Sequence, residues 1–334
     1  MKKTILLLAF GLLLTGCGKQ ETVQTDAETQ MQPQALETDQ KTAKMDTQEK
    51  EAVNTDAVDM AGQDTEAQDK AGQKTEVQSE GETGISDTGQ EEEPDDTLPQ
   101  AGLQSMENLL YTAKQPVGTT MYIWGGGWNE EDTGAGIEAV SIGVSPAWAS
   151  YAATQDASYN SKNTRYQIHN GLDCSGYIGW LVYNVFHTKD QETGYVQKAT
   201  TMAENFAGYG WGSYTPAGSV TDWQAGDIMS MKGHVWMSLG MCADGSVLLM
   251  HASPPGVRIC GTRNTDGSDS QAVALARKYM SSYYPDWYNR YPECGVDHNY
   301  LDTSAQMRWS DTVLSDESGI RQMTAEEVCA FLFE

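Results

Sequence analysis

What most constrains the fold of this chain is where its aromatic residues lie. No Phe, Trp or Tyr occurs between Cys17 and Tyr111, and all nine tryptophans and all sixteen tyrosines lie at or beyond Tyr111. Residues 18–100 are built from Glu, Asp, Gln, Thr, Ala and Gly. A segment of that composition buries too little apolar surface to offset the entropy of ordering it. Any packed core must come from residues 101–334, enough for one compact domain. A ten-residue repeat, AGQDTEAQDK from Ala61 and AGQKTEVQSE from Ala71, reads as duplicated linker, because a solenoid needs more copies. Charge follows the same division. Residues 18–100 hold 22 acidic and 6 basic side chains, a net of −16 out of −26 for the chain. A flexible segment of that length spans roughly 50 Å end to end, and its self-repulsion extends it further. Residues 101–334 net −12 (25 acidic, 13 basic), which argues against nucleic acid as a partner.

The N-terminus reads as an export signal. Lys2 and Lys3 precede a ten-residue apolar run, Ile5 to Leu14. That run is too short for a bilayer core of ~30 Å but suits a signal peptide. It ends in Leu14-Thr15-Gly16-Cys17, which resembles the bacterial lipobox. The resemblance implies removal of residues 1–16 and acylation of Cys17. Two or three acyl chains on one cysteine anchor a protein durably. The expected arrangement is extracytoplasmic and tethered to a bacterial membrane, with residues 17–100 as a disordered acidic linker.

Within residues 101–334, three segments carry chemistry. Asp173-Cys174-Ser175-Gly176 opens a run apolar at nearly every turn, Tyr177 to Phe186, as in a buried helix. Cys174 then sits in the first helical turn, where free backbone N–H groups and the helix dipole favour a thiolate and a developing oxyanion. Downstream, a turn at Ala225-Gly226-Asp227, a tight turn at Lys232-Gly233 and a hairpin turn at Asp244-Gly245 delimit short strands. His234 begins one strand and His251 comes near the end of its antiparallel neighbour, so one imidazole can take the thiol proton while the other orients it. Met121 to Trp128 includes Gly125-Gly126-Gly127, which allows close backbone approach but lacks the GK[ST] of a phosphate loop.

Taken together these segments resemble the NlpC-type family of papain-like cysteine peptidases. Tyr122-Ile123-Trp124-Gly125-Gly126 is similar to its Y-x-W-G-G, Asp173-Cys174-Ser175-Gly176 to its D-C-S-G, and Gly226-Asp227 with Gly233-His234-Val235 to its G-D…G-H-V. The resemblance spans about residues 121–253. It implies an α+β fold in which a helix bearing the cysteine packs on a curved antiparallel sheet. It also implies hydrolysis of peptidoglycan stem peptides, commonly at the γ-D-glutamyl–diamino acid bond. Cys174, His234 and His251 are then catalytic, Tyr122 assists the oxyanion site, and Trp124, Asp173 and Ser175 contact substrate. Two departures stand out. Forty-five residues separate Gly127 from Asp173, so an ordered insert at about 129–170, with Trp148, Tyr151, Tyr159 and Tyr166, is expected to wall or cover the cleft. Trp236 also stands where the family places a small residue.

Other readings remain open at this level: an N-acetylmuramoyl-L-alanine amidase, an acyltransferase on the same scaffold, or a wall-binding lipoprotein without turnover. His169 is an alternative partner for Cys174, and His298 reads as structural. Pairing among Cys242, Cys260, Cys294 and Cys329 is open, no cysteines show zinc-site spacing, and no metal or cofactor is implied. Thr324 to Phe333 reads as a closing helix that opens with a capping box.

Overall fold

The computed structural model describes residues 99–187 and 193–334. The expected signal peptide, lipidation site and linker lie outside the described residues. The described chain forms eight α-helices and nine strands. The helices are α1 (Met106–Lys114), α2 (Pro146–Ala153), α3 (Cys174–Phe186), α4 (Met202–Gly208), α5 (Gln271–Tyr283), α6 (Pro285–Arg290), α7 (Asn299–Thr303) and α8 (Ala325–Phe333). The strands are β1 (Met121–Tyr122), β2 (Gly171–Leu172), β3 (Gly212–Thr215), β4 (Ala225–Met231), β5 (His234–Met241), β6 (Val247–Ser253), β7 (Gly256–Thr262), β8 (Gly295–Val296) and β9 (Ala305–Trp309).

All nine strands join one open sheet in the order β2-β1-β7-β6-β5-β4-β9-β3, with β8 also on β7. Pairing is antiparallel except for β1 with β2 and β7 with β8. The centre is a meander, β4 to β7, whose first two turns fall at the predicted Lys232-Gly233 and Asp244-Gly245, and whose third lies at Pro254-Pro255. Its strands are apolar on both faces. Ile228, Val235, Met237, Leu248, Met250, Val257 and Ile259 join the main core with α1, α3, α5 and α8. The alternating residues Met229, Trp236, Leu249 and Cys260 form a second cluster with Val296 and Leu301. Trp236 therefore belongs to that second layer, where its indole N–H donates to Ser304 Oγ at 3.0 Å.

Helix α3 is the spine of the main core, and all thirteen of its residues are buried. The insert packs against it. Trp148 meets Trp180 edge-on with ring centroids 6.0 Å apart, Trp180 Nε1 donates to Gly143 O, and Asn184 bonds both Gly143 N and Ser141 O. The insert's other flank is held by Arg290, which donates to Ala152 O and Gln155 O, and by Tyr291, which donates to Asp156 O. It is packed against the domain on both flanks. The capping box at Thr324 is formed, with Thr324 N donating to Glu327 Oε2 at 2.8 Å and Glu327 N to Thr324 Oγ1 at 3.3 Å.

Candidate active site

Two short parallel strands bring the distant sequence segments together. Met121 pairs with Gly171 and Tyr122 with Leu172, so the glycine turn after β1 lies beside the opening of α3. The contact is between backbones: a Cβ on Gly176 would collide with Gly126 O, and one on Gly126 with Gly171 O. Asp173 N donates to Gly126 O at 2.9 Å, closing the junction.

Asp173 is the N-cap of α3. Its Oδ1 accepts from Gly176 N at 2.7 Å and Ser175 Oγ at 2.9 Å, and its Oδ2 accepts from Gly125 N at 3.2 Å. Ser175 Oγ also accepts from Trp128 Nε1 at 3.0 Å. Asp173 and Ser175 are 8 % and 4 % exposed. The sequence offered both as substrate contacts; in the structure their polar atoms hold the helix start and the glycine turn in place. Burial pushes the Asp173 carboxyl up to about 6, against the pull of its N–H donors.

Cys174 occupies the first helical position. The backbone N–H groups of Val235, the residue after His234, of Ser175 and of Cys174 itself pull the thiol pKa down. Helix α3 packs against β5, the strand that His234 begins. The helix-start argument predicts a depressed thiol pKa. In the structure burial wins, helped by the neighbouring Asp173 charge, and pushes the thiol up to about 12. The resting thiol is neutral.

His234 and His251 are diagonal neighbours across the β5–β6 pair, with His234 Nε2 3.0 Å from His251 Nδ1. His234 Nδ1 stays outside that pair and can act as an acceptor when the proton sits on Nε2. In that tautomer His234 Nε2 donates to His251 Nδ1, and His251 carries its own proton on Nε2, a buried atom with no partner among the described residues. Burial lowers His234 to about 4 and holds His251 well below its ordinary value.

Two further residues complete the surroundings. Tyr300, in α7, lays its ring against both imidazoles, with centroids 5.5 Å from His234 and 6.3 Å from His251. Arg258 is the Cα partner of His251 across the β6–β7 pair and is 8 % exposed. Its Nε has no hydrogen-bond partner among the described residues, and its charge further lowers both histidines. Sequence reasoning missed both. Arg258 was within reach by counting the register through the Pro254-Pro255 turn; Tyr300 is brought in only by the tertiary fold.

Tyr122 is 8 % exposed, and its hydroxyl is kept protonated by burial and by the nearby Cys174 and Asp173. Trp124 is 48 % exposed on the turn beside it. His169 is drawn away from the thiol into a pair with the buried Glu138 of the insert. His298 Nδ1 lies 3.2 Å from Arg263 O. The five described cysteines are all free. Among the described residues no group of three or more His, Cys, Asp or Glu is placed to hold a metal ion. Comparison with protein families, curated proteins and solved structures finds no match to this chain.

Proposed function

We propose that this chain is a cysteine peptidase of papain-like, NlpC-type fold that cuts peptidoglycan stem peptides, at the γ-D-glutamyl–diamino acid bond. The observation that carries the proposal is that Cys174 holds the first position of α3, a helix packed on β5, whose first residue His234 is paired to His251. In the proposed reaction the scissile carbonyl carbon approaches Sγ of Cys174. His234 Nδ1 removes the thiol proton as the S–C bond forms, because neither group is charged at rest. The N–H groups at the helix start and the protonated Tyr122 hydroxyl stabilise the oxyanion. Collapse expels the amine, which takes the proton from His234. Water, deprotonated by the same imidazole, then hydrolyses the thioester. His251 keeps His234 in the required tautomer, and no cofactor is called for. Lipidation of Cys17 and attachment to a bacterial membrane belong to the same proposal and rest on the Leu14–Cys17 string.

The test is mass spectrometry of defined muropeptides incubated with the protein. A new N-terminus on the diamino acid is expected, lost in Cys174→Ala and His234→Ala. Turnover that persists in Cys174→Ala removes the nucleophile from the scheme, and release of L-alanine N-termini from the glycan would instead make the enzyme an amidase.

The burial of the thiol, 6 % exposed, favours a second reading, a wall-binding protein without turnover. Alkylation separates the two. If the thiol stays as buried as in the resting fold, its reaction with iodoacetamide is slow at pH 7 and rises about tenfold per pH unit. The peptidase reading expects a non-cleavable stem peptide to raise that rate at pH 7, as the thiol proton passes to His234; the binding reading expects the rate unchanged or lowered by shielding.

A further inference from the structure

We propose that the insert builds a carboxylate-binding corner on the rim of the cleft, with Arg165 as its cation and Trp124 and Tyr166 as its walls, selecting peptides that carry a free carboxylate beside the scissile bond. The proposal rests on the reading of Cys174 as a peptidase nucleophile and adds the substrate chemistry.

The corner is tied to the reaction centre. Tyr166 N donates to Trp124 O at 2.8 Å, so the end of the insert returns to the turn that follows β1. The next residue on that turn, Gly125, donates its N–H to Asp173, immediately before the nucleophile. Tyr166 lies flat on Gly125: a Cβ there would sit 2.9 Å from Tyr166 Cδ1. Tyr166 also has a φ of 61°, the left-handed region that an aromatic residue enters only when its surroundings dictate it. Here the hydrogen bond to Trp124 and the missing side chain at Gly125 dictate it.

The surfaces left open are the wrong ones for a structural role. Trp148, Trp180, Trp236 and Trp287 are fully buried, whereas Trp124 and Tyr166 are 48 % and 63 % exposed. The Arg165 guanidinium carbon lies 5.5 Å from the centroid of the Trp124 ring. A guanidinium held over a ring face keeps N–H donors available, which suits it to a carboxylate. The chain has 47 acidic and 21 basic residues, and its arginines are mostly taken up. Arg263, Arg277, Arg308 and Arg321 each hold a carboxylate, and Arg290 holds backbone carbonyls. Among the described residues Arg165 has no carboxylate partner, although its charge acts on the Tyr122 hydroxyl, which in turn feels Cys174. Arg165 thus offers a cation on the turn that leads, through Gly125 and Asp173, to the nucleophile. Aromatic rings alone would also suit a sugar face; the unpaired guanidinium favours an anion.

The experiment uses the full-length chain in detergent with two probes: a stem tetrapeptide with a free α-carboxylate on its D-glutamate, and the same peptide as the α-carboxamide. Cleavage is followed in the native protein and binding, by calorimetry, in Cys174→Ala. Native protein is expected to prefer the acid at least tenfold in kcat/KM, and Cys174→Ala to show the same preference in Kd. Arg165→Gln should reduce both preferences to within twofold, and Arg165→Lys should restore part of them. Acid-selective, Arg165-dependent binding without cleavage upholds the corner and removes the peptidase reading. Equal cleavage of both peptides, unaltered by Arg165→Gln, overturns the corner and leaves that reading standing. Equal binding that depends on Trp124 but not on Arg165 means that the rings hold a neutral face, and overturns it too, as does no binding of either peptide.

Discussion

At the residue scale, burial sets the charge state of the site. His234 is lowered from 6.5 to about 4 by desolvation and then by Arg258. Between those values the folded chain binds fewer protons than the unfolded one. The stability His234 contributes is therefore whole above pH 6.5 and is lost as pH falls through 4. Asp173, raised by burial from 3.8 to about 6, acts in the opposite sense: its contribution is present below 3.8 and lost as pH rises through 6. Comparing native protein with His234→Ala cancels the Asp173 contribution. We expect the difference in unfolding free energy to move against the native protein by about 3 kcal/mol between neutral pH and pH 4. Urea titrations across that range measure it, and a pH-independent difference would show that His234 is solvated in the fold. Part of this site was legible in the sequence. Cys174 was placed at a helix start because small and polar residues precede an apolar run, and the two histidines were paired because the turn residues count out the hairpin. The charge state was not legible, because the helix terminus is a local feature whereas desolvation comes from strands and loops distant in sequence. Nor was the role of Asp173 and Ser175: a polar residue beside a nucleophile reads alike whether it faces a ligand or the backbone.

At the element scale, α3 serves both as carrier of the thiol and as platform for the insert. Trp148 fills the interface between them and is fully buried. Trp148→Ala is expected to cost about 3–5 kcal/mol, the usual penalty for removing a buried aromatic. If insert and helix fold as one cooperative unit, the midpoint in urea falls while the transition stays single. A separate early transition, with the rest of the fold intact, would make the insert an independent unit. The four aromatic residues picked out in the insert did foretell an ordered segment. Their partners were unreadable, since Asn184, Arg290 and Tyr291 carry no motif that points back to residues 129–170.

On the scale of the whole molecule, the sheet extends well beyond the part suggested by the sequence motifs. Strand β9 comes from the last thirty residues, yet it inserts between β4 and β3. Its Arg308 reaches Asp227 with Nε at 3.0 Å and Nη2 at 2.7 Å, and Asp227 is only 2 % exposed. Gln306 Nε2 adds a bond to the same carboxylate at 2.8 Å. The Gly226-Asp227 pair, read as part of a resemblance, thus fastens the C-terminal strand to the meander. Arg308→Met leaves a buried carboxylate with fewer donors and is expected to destabilise by about 3 kcal/mol at pH 7. Chemical denaturation of the two proteins measures the loss. Asp227→Asn with Arg308→Met should recover part of it, because the uncompensated charge is then gone. No local pattern announces such a pairing across eighty residues.

The clamping of the insert on both flanks has one more consequence. Residues 129–170 leave the sheet after β1 and come back beside it at β2, so the excursion begins and ends on a single parallel step. It behaves as a cassette. Its tip can be rewritten while the two short strands, the glycine turn and the thiol helix keep their register. Under the proposed function, ligand preference can then drift over generations without retuning the chemistry, and grafting another cassette between the same two strands is a direct way to test what the insert recognises.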